Sequence, residues 1–399
     1  TYDVHWERND DVQWASRWDI YLTMDNAIPT NVHWLSIANG AVIVCVLSAI
    51  VITILTRNLR HNLAKYHPVV TDEENADVLE EKGWKSLHAD IFRPPSFSPL
   101  LLSVCCGTGA QFFCMTFFTI VLAALGFISQ AKRGAFLMAA ILLYSLSGAV
   151  SGYVTARLYK TFSGMECQKA TICTAMGFPG LFFILFVFID LLARTNGSTY
   201  AVPLGTILVL LGLWLGVASP LVFVGAHLGY KEEALEFPVQ TSCNPRQIPD
   251  QPRLVRAPFT LMIAGILPFG ACYFEILFVE AALWMGYYYS IFGFLLPLFI
   301  ILIIASAEIS LLINYCQLCH EDYHWWWRSF GTAGSTSIYI FIYSCLYFVQ
   351  FEAHSFGAHL LFFGYMGLLC LGLFLMLGFM GVMASLWFNM VLFRSVKVS

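Results

Sequence analysis

The sequence has little charge for its size. Only 12% of its 399 residues are Asp, Glu, Lys or Arg, about half the fraction of a typical soluble domain. Hydrophobic residues make up 58%, and they fall in uninterrupted blocks of twenty or more. This pattern excludes a soluble multidomain enzyme. The net charge of −4 is small, so we expect no nucleic-acid partner.

The sequence also lacks the patterns of catalysis. It has no nucleophile paired with a base, no Gly-rich phosphate loop and no paired carboxylates, so we expect neither an enzyme nor a cofactor. The cysteines predict no disulfide framework because most lie in apolar blocks. Cys316, Cys319 and His320 match a haem-attachment pattern, and His324 would allow a metal site to be drawn. Covalent haem attachment takes place outside the cytosol, whereas this segment is predicted to be cytosolic, so we expect no haem. Nothing in the pattern requires a metal, and we expect none.

The N-terminus has no start methionine and no signal peptide. Tyr2, Val4 and Trp6 alternate with polar residues, which predicts a half-buried strand. We therefore expect residues 1–30 to be a linker and the end of a domain that lies upstream.

Nine apolar stretches are long enough to cross the ~30 Å of bilayer hydrocarbon as helices. They run approximately over residues 34–55, 100–128, 135–156, 170–192, 202–226, 259–283, 292–315, 331–349 and 356–393. Two longer connections are expected near 56–99 and 228–258. The second contains four prolines, which predicts an extended segment packed across one face of the bundle.

The basic residues predict the orientation. With the N-terminus outside the cytosol, sixteen of the 21 Lys and Arg residues fall in cytosolic segments and the C-terminus is cytosolic. Asn196, in an Asn-Gly-Ser triplet, is then a candidate glycosylation site on the lumenal side, although the triplet is equally consistent with a polar turn.

Several short motifs are specific enough to compare with known families. They include Arg17-Trp18-Asp19, Gly83-Trp84-Lys85, Pro268-Phe269-Gly270 and the run from Glu321 to Phe330. Through them the whole chain resembles the nonaspanins, the transmembrane 9 superfamily. The resemblance implies a lumenal β-rich domain ahead of nine spans, residence in Golgi and endosomal membranes, and a role in sorting and surface delivery of other membrane proteins. It also implies coat proteins as partners of a tail built around Lys397, although Ser399 stands where the retrieval signal has an acid.

We therefore predict an all-α polytopic membrane protein. Residues 31–399 form a nine-helix transmembrane bundle, and residues 1–30 are the end of a lumenal β-rich domain and a linker.

Acidic residues inside the spans are candidate functional groups, because an unpaired charge in the membrane is costly. The four are Asp190, Glu275, Glu280 and Glu308. The alternatives are structural roles: Asp190 pairs with Arg194, and the other three acids form buried hydrogen bonds. An acidic, His-bearing lumenal vestibule is the sharper hypothesis for Asp190, Glu275 and Glu280, together with residues 352–359.

Prolines and glycines mark candidate bends and close contacts between helices. Prolines within spans predict kinks at Pro179, Pro220, Pro268 and Pro297. Small-residue spacing predicts close helix contacts at Gly148 and Gly152, Gly212 and Gly216, and Gly378 and Gly381. These faces suit either packing within the bundle or recognition of a client's transmembrane helix. Trp325, Trp326, Trp327 and Arg328 are expected to form an interfacial belt.

The leading functional hypothesis is a non-enzymatic sorting factor of Golgi and endosomal membranes, whose partners are the lipid bilayer and client transmembrane proteins. The alternative is a transporter of protons, cations or a lipid that uses Glu275 and Glu308. A third, weaker hypothesis is a lumenal ligand binder whose binding domain lies upstream.

Overall fold

The computed structural model describes residues 3, 30–65, 84–125, 127, 133–195, 201–252, 255–285, 292–349 and 356–395. Within these ranges the chain is helical apart from its connections and has no β-strand. The predicted N-terminal strand lies outside the described residues. The helices are α1 (Thr30–Lys65), α2 (Pro99–Ala124), α3 (Arg133–Leu146), α4 (Gly148–Thr161), α5 (Cys167–Thr195), α6 (Leu204–Leu213), α7 (Ser219–Lys231), α8 (Ala257–Ala264), α9 (Ile266–Ala271), α10 (Tyr273–Met285), α11 (Phe292–Cys319), α12 (Trp325–Phe348) and α13 (Phe356–Ser395).

The helices correspond to the predicted spans in order. Within the described residues, seven helical stretches are long and apolar enough to cross a membrane, and one bent pair adds an eighth. The remaining predicted span is α12, which has 24 residues and therefore extends ~36 Å. It is rich in Ser, Thr and Gly and is less apolar than the others. The all-α polytopic class is thus confirmed.

Two spans are interrupted. A π-helical turn, Trp214–Ala218, joins α6 to α7, and Pro220 follows it in the first turn of α7. The span built from α8, α9 and α10 is bent by 75° between Ala271 and Tyr273. Pro268 lies four residues before this break and has no N–H to continue the helical hydrogen bonds. By contrast, Pro179 and Pro297 lie inside the uninterrupted helices α5 and α11.

α13 organises the bundle. It packs most extensively on α12 and also contacts α2, α5 and α11, whereas α4 and α7 form a second close pair. At 40 residues α13 extends ~60 Å, twice the hydrocarbon thickness, so it also reaches into the loops at one end. There Phe393 packs edge-on against Trp84 in an aromatic cluster.

The two long connections fold against the same end of the bundle. α1 continues to Lys65, ten residues past its predicted end, and the described part of the first loop is residues 84–98. The second loop is extended over residues 232–252, as its prolines predict. Together with the turn at residues 320–324 they form what we call the loop plate. By the positive-inside prediction the loop plate is cytosolic.

Candidate functional site

Asp190 stabilises the connection between α5 and α6. Its side chain is 5% exposed and lies 3.1 Å from the Arg194 guanidinium one turn later. The backbone N–H of Val202 donates to its other oxygen at 2.6 Å. The structure therefore shows Asp190 paired with Arg194. Of the other residues of the hypothetical vestibule, Glu352 and His354 lie outside the described residues, whereas His359 lies on α13 and packs against Phe348.

Glu275 and Glu308 both lie against α1. A Cβ on Gly40 would stand 3.4 Å from the Glu275 carboxylate, and the Ser48 hydroxyl is hydrogen-bonded to Glu308. Gly40 and Ser48 are eight residues apart, so they share one face of α1 at a separation of ~12 Å. One helix thus covers both acids from the side, and the acids meet it at different depths.

Glu280 is the most deeply enclosed of the four acids. It is 2% exposed, lies on α10 in the second half of the bent span, and is hydrogen-bonded to Ser344 of α12. Its other carboxyl oxygen has no hydrogen-bond partner among the described residues.

Four of the six predicted glycines serve packing within the bundle. A Cβ on Gly152 would lie 2.0 Å from the carbonyl oxygen of Val222, so α4 and α7 touch through their backbones. Gly148 makes the same kind of contact one turn earlier. Gly378 and Gly381 of α13 lie against side chains of α12 in the same way. These positions are closed to any partner helix.

The remaining two glycines face open space. A Cβ on Gly212 or Gly216 would have nothing within 4 Å, and the same holds for Gly205. The three positions are seven and four residues apart, which places them on one face of the α6–α7 span. We call this the open glycine face. Leu204–Lys231 is the span that carries it. Only 17% of the most apolar stretch of this span is buried inside the protein.

The interfacial-belt interpretation is wrong for Trp325 and Trp326. They are 0% and 1% exposed, so they lie inside the protein rather than among lipid headgroups. Their indole N–H groups donate to the carbonyl oxygens of Ile91 and Arg93 at 2.8 and 3.0 Å. Such an acceptor offsets the cost of burying an indole N–H, and the 84–98 loop supplies it.

Trp327 and Arg328 bind the loops in the same way. The Trp327 indole donates to the Phe97 carbonyl at 2.7 Å, and the Arg328 guanidinium donates to the Val255 carbonyl at 3.1 Å. Consecutive side chains at the start of α12 therefore hold both long connections. We call these contacts of Trp325 to Arg328 with the two connections the clasp. An interfacial belt and the clasp require the same aromatic residues, so the sequence pattern alone does not distinguish them.

Ion pairs complete the loop plate. Arg93 pairs with Asp90 and donates to the Ser242 carbonyl at 2.8 Å. Arg246 lies 3.1 Å from Glu321, which ties the extended segment to the turn before α12.

Asp322 is the acceptor at the centre of that turn. It lies 3.1 Å from Arg328 and accepts the backbone N–H of His324 at 2.9 Å. Burial raises the pKa of Asp322, but the hydrogen bonds from His324 and the Arg328 charge outweigh it and hold that pKa below its ordinary value.

The haem-like and metal-like pattern does not gather into a ligand set. Within the described ranges, no three His, Cys, Asp or Glu side chains converge as metal ligands would. Cys319 and His320 instead line a pocket of about 200 Å³ beside Pro249 to Pro252. Pro94 to Phe97 and Trp327 line a second pocket of the same volume. Both pockets belong to the loop plate, and neither is lined by an intramembrane acid.

Two predicted sites cannot be placed. Asn196, the candidate glycosylation site, and Lys397, in the tail, both lie outside the described residues.

A buried polar seam was missed at the sequence level. Ser310 of α11 contacts the Ser385 hydroxyl at 3.3 Å, and Asn314 donates to Asn389 of α13 at 2.8 Å. The signal was present, because Ser306, Ser310, Asn314 and Gln317 recur every three or four residues and share one helical face. The seam holds α11 to α13 through polar contacts within an apolar bundle.

Comparison with known proteins gives one family throughout. The model of the Endomembrane protein 70 family matches residues 1–357. The chain is 42% identical over its whole length to transmembrane 9 superfamily member 10 of Arabidopsis thaliana, and 39% identical to member 4 of Homo sapiens. It covers 61% of each of these relatives, so it spans about three fifths of their length. No solved structure matches it.

Proposed function

The chain belongs to the Endomembrane protein 70 family, and from that premise we propose that it is a non-enzymatic sorting factor that engages the transmembrane helices of other membrane proteins. Membership makes it a multi-pass membrane protein of the endomembrane system. Golgi and endosomal membranes are the proposed residence, with the N-terminus lumenal and the C-terminus cytosolic.

The open glycine face is the observation that carries this proposal. Gly205, Gly212 and Gly216 have no neighbour that needs their small size, whereas the other predicted glycines fill tight helix contacts. Helices associate in membranes mainly by close backbone approach at small residues. A glycine face that the bundle leaves uncovered therefore suits an incoming helix.

The adjoining π-helical turn supports the same surface. Trp214–Ala218 interrupts the regular hydrogen-bond pattern between Gly212 and the end of the span. Such turns leave backbone groups without their usual partner and are frequent at functional sites. Trp214 is anchored behind the face, because its indole donates to the Ala175 carbonyl at 3.0 Å.

Photo-crosslinking tests this proposal. A photoreactive residue at position 212 or 216 should capture transmembrane segments of other proteins in endomembranes. Gly212→Leu and Gly216→Leu should reduce surface delivery of the captured proteins. Gly367→Leu is the matched control, because Gly367 of α13 also faces open space but lies away from this span. Capture no greater than at position 367, with delivery unchanged in both variants, would remove the basis of the proposal.

Transport is the second candidate function, and the bent span favours it. Discontinuous helices with acids at the break commonly form substrate sites in transporters. Glu275 lies three residues after the 75° break and is 3% exposed. Reconstitution in liposomes distinguishes the two functions. A proton or cation flux that Glu275→Gln and Glu308→Gln abolish supports transport, and the absence of flux under an imposed gradient refutes it.

A further inference from the structure

Glu280 and Ser344 form a contact whose hydrogen bonds require an extra proton. The Ser344 hydroxyl oxygen lies 2.8 Å from the Ile340 carbonyl oxygen and also within hydrogen-bond distance of a Glu280 carboxyl oxygen. A serine hydroxyl has one hydrogen to donate, and both of these neighbours are acceptors if Glu280 is ionised. Only one contact would then be a hydrogen bond.

A proton on Glu280 satisfies both contacts at once. The carboxyl O–H then donates to the Ser344 oxygen, and the Ser344 hydroxyl donates to the Ile340 carbonyl. The same arrangement recurs at Glu308, where Ser48 contacts the carboxyl and also bonds to the Val44 carbonyl at 2.9 Å. Glu280 and Glu308 thus each contact a different serine, and each serine hydroxyl already donates to a carbonyl oxygen of its own helix.

The surroundings of Glu280 also favour the neutral acid. The described titratable groups facing it are Tyr343, Cys345 and Tyr347 of α12 and Cys370 of α13. Tyr273, on its own helix, packs against Tyr343, and His359 of α13 packs on Phe348 one turn beyond Ser344. Within the described residues no Lys or Arg pairs with Glu280.

Holding a proton on an ordinary glutamate at neutral pH opposes an equilibrium of roughly 500-fold. An isolated carboxylate buried away from water costs more than this and therefore neutralises. We propose that Glu280 is an intramembrane proton-binding site, which keeps its proton in the folded protein and uses the neutral carboxyl to hold α10 against α12. This inference stands independently of client sorting.

Protonation of Glu280 controls how the second half of the bent span packs. α10 follows the 75° break and contacts α12 through Glu280 and Ser344 and through the packing of Tyr273 against Tyr343. Loss of the proton places a charge beside the Tyr343 and Tyr347 rings and leaves Ser344 with one acceptor too many. α10 would then swing away from α12 about Cys272 to bring the carboxylate to water. The site is a latch that opens as pH rises.

Thermal unfolding of the full chain in detergent, followed across pH, tests the proposal. Glu280→Gln is the informative variant because its amide N–H can still donate to Ser344. The folded protein holds a proton that the unfolded chain releases above the ordinary glutamate pKa, so stability falls as pH rises. The folding equilibrium of the unsubstituted chain should therefore weaken by up to tenfold per pH unit relative to Glu280→Gln. Parallel pH profiles for the two proteins would overturn the proposal.

A carbodiimide provides a second measurement that needs no variant. Dicyclohexylcarbodiimide reacts with protonated carboxyls in apolar surroundings: the acid proton moves to nitrogen, the carboxyl oxygen bonds to the central carbon, and rearrangement yields an N-acylurea with no leaving group. Mass spectrometry should find this adduct on Glu280, decreasing as pH rises. An adduct on Glu308 without one on Glu280 would count against the proposal, because the reagent would then have reached the membrane interior.

Discussion

Replacing Asp322 by Asn tests the central contact of the loop plate. The two side chains of the Asp322–Arg328 pair are 5% and 12% exposed and lie 3.1 Å apart. Arg328 also donates to the Val255 carbonyl, so this pair joins the turn before α12 to the end of the extended loop. Asp322→Asn removes the charge and keeps the size of the side chain.

The expected cost follows from burial. Removing one partner of a buried ion pair typically costs ~3–5 kcal/mol, because the other charge is left uncompensated. Here Asn retains an oxygen for the His324 N–H, and Arg328 keeps its carbonyl contact, so we expect about 2–3 kcal/mol. For a chain of this size ~2 °C of Tm corresponds to 1 kcal/mol, which predicts a decrease of ~5 °C.

The direction of the Asp322 pKa shift determines how its contribution to stability changes with pH. The pKa of Asp322 lies below its ordinary value, so the ionised form stabilises the folded protein at neutral pH. That contribution is present above the ordinary Asp pKa and is lost as pH falls through the lowered value in the folded protein. The difference between the two proteins should therefore shrink in acid.

A double-mutant cycle provides the assay. Asp322→Asn, Arg328→Gln and the double variant are compared by thermal unfolding in detergent, and the double variant should cost less than the sum of the two single variants. Glu166→Gln is the matched control, because Glu166 pairs with Lys169 while both side chains are more than half exposed. Additive costs, or an Asp322→Asn variant as stable as the control, would refute the reasoning.

Three further predictions concern single contacts. Gly152→Ala should cost ~1–3 kcal/mol of unfolding free energy, because its Cβ would overlap a backbone oxygen of α7, whereas Gly212→Ala should leave Tm unchanged or slightly raised. Trp326→Phe should cost ~1–2 kcal/mol through one lost indole bond and increase proteolytic cleavage within residues 84–98. Asp190→Asn should weaken the connection between α5 and α6, visible as faster hydrogen exchange of the Val202 amide.

The sequence predicts the spans well because a membrane helix is a one-dimensional pattern. An apolar block of about 20 residues needs no knowledge of its neighbours. The extended loop at 232–252 is equally local, since its prolines exclude a continuous helix. The bend near Pro268 follows from the same local rule, although the span is broken four residues later.

Contacts between helices are predicted less well, because they depend on which helix packs against a given face in the folded bundle. Gly152 and Gly216 have the same sequence signature, yet one is closed by α7 and the other faces open space. The π-helical turn at Trp214–Ala218 has no local residue pattern that dictates it. The clasp made by Trp325 and Trp326 depends on acceptors more than 230 residues earlier in the chain, which no window of sequence contains.

That last separation has a consequence for biosynthesis. The acceptor at Ile91 leaves the ribosome 234 residues before the indole of Trp325 that binds it. At about 5–20 residues per second, the 84–98 loop waits on the order of 10–50 seconds for its partner. During that interval α2 is already made, while the loop preceding it remains unclasped and available to chaperones and proteases. Survival of the 84–98 loop therefore depends on synthesis of the start of α12, 234 residues later.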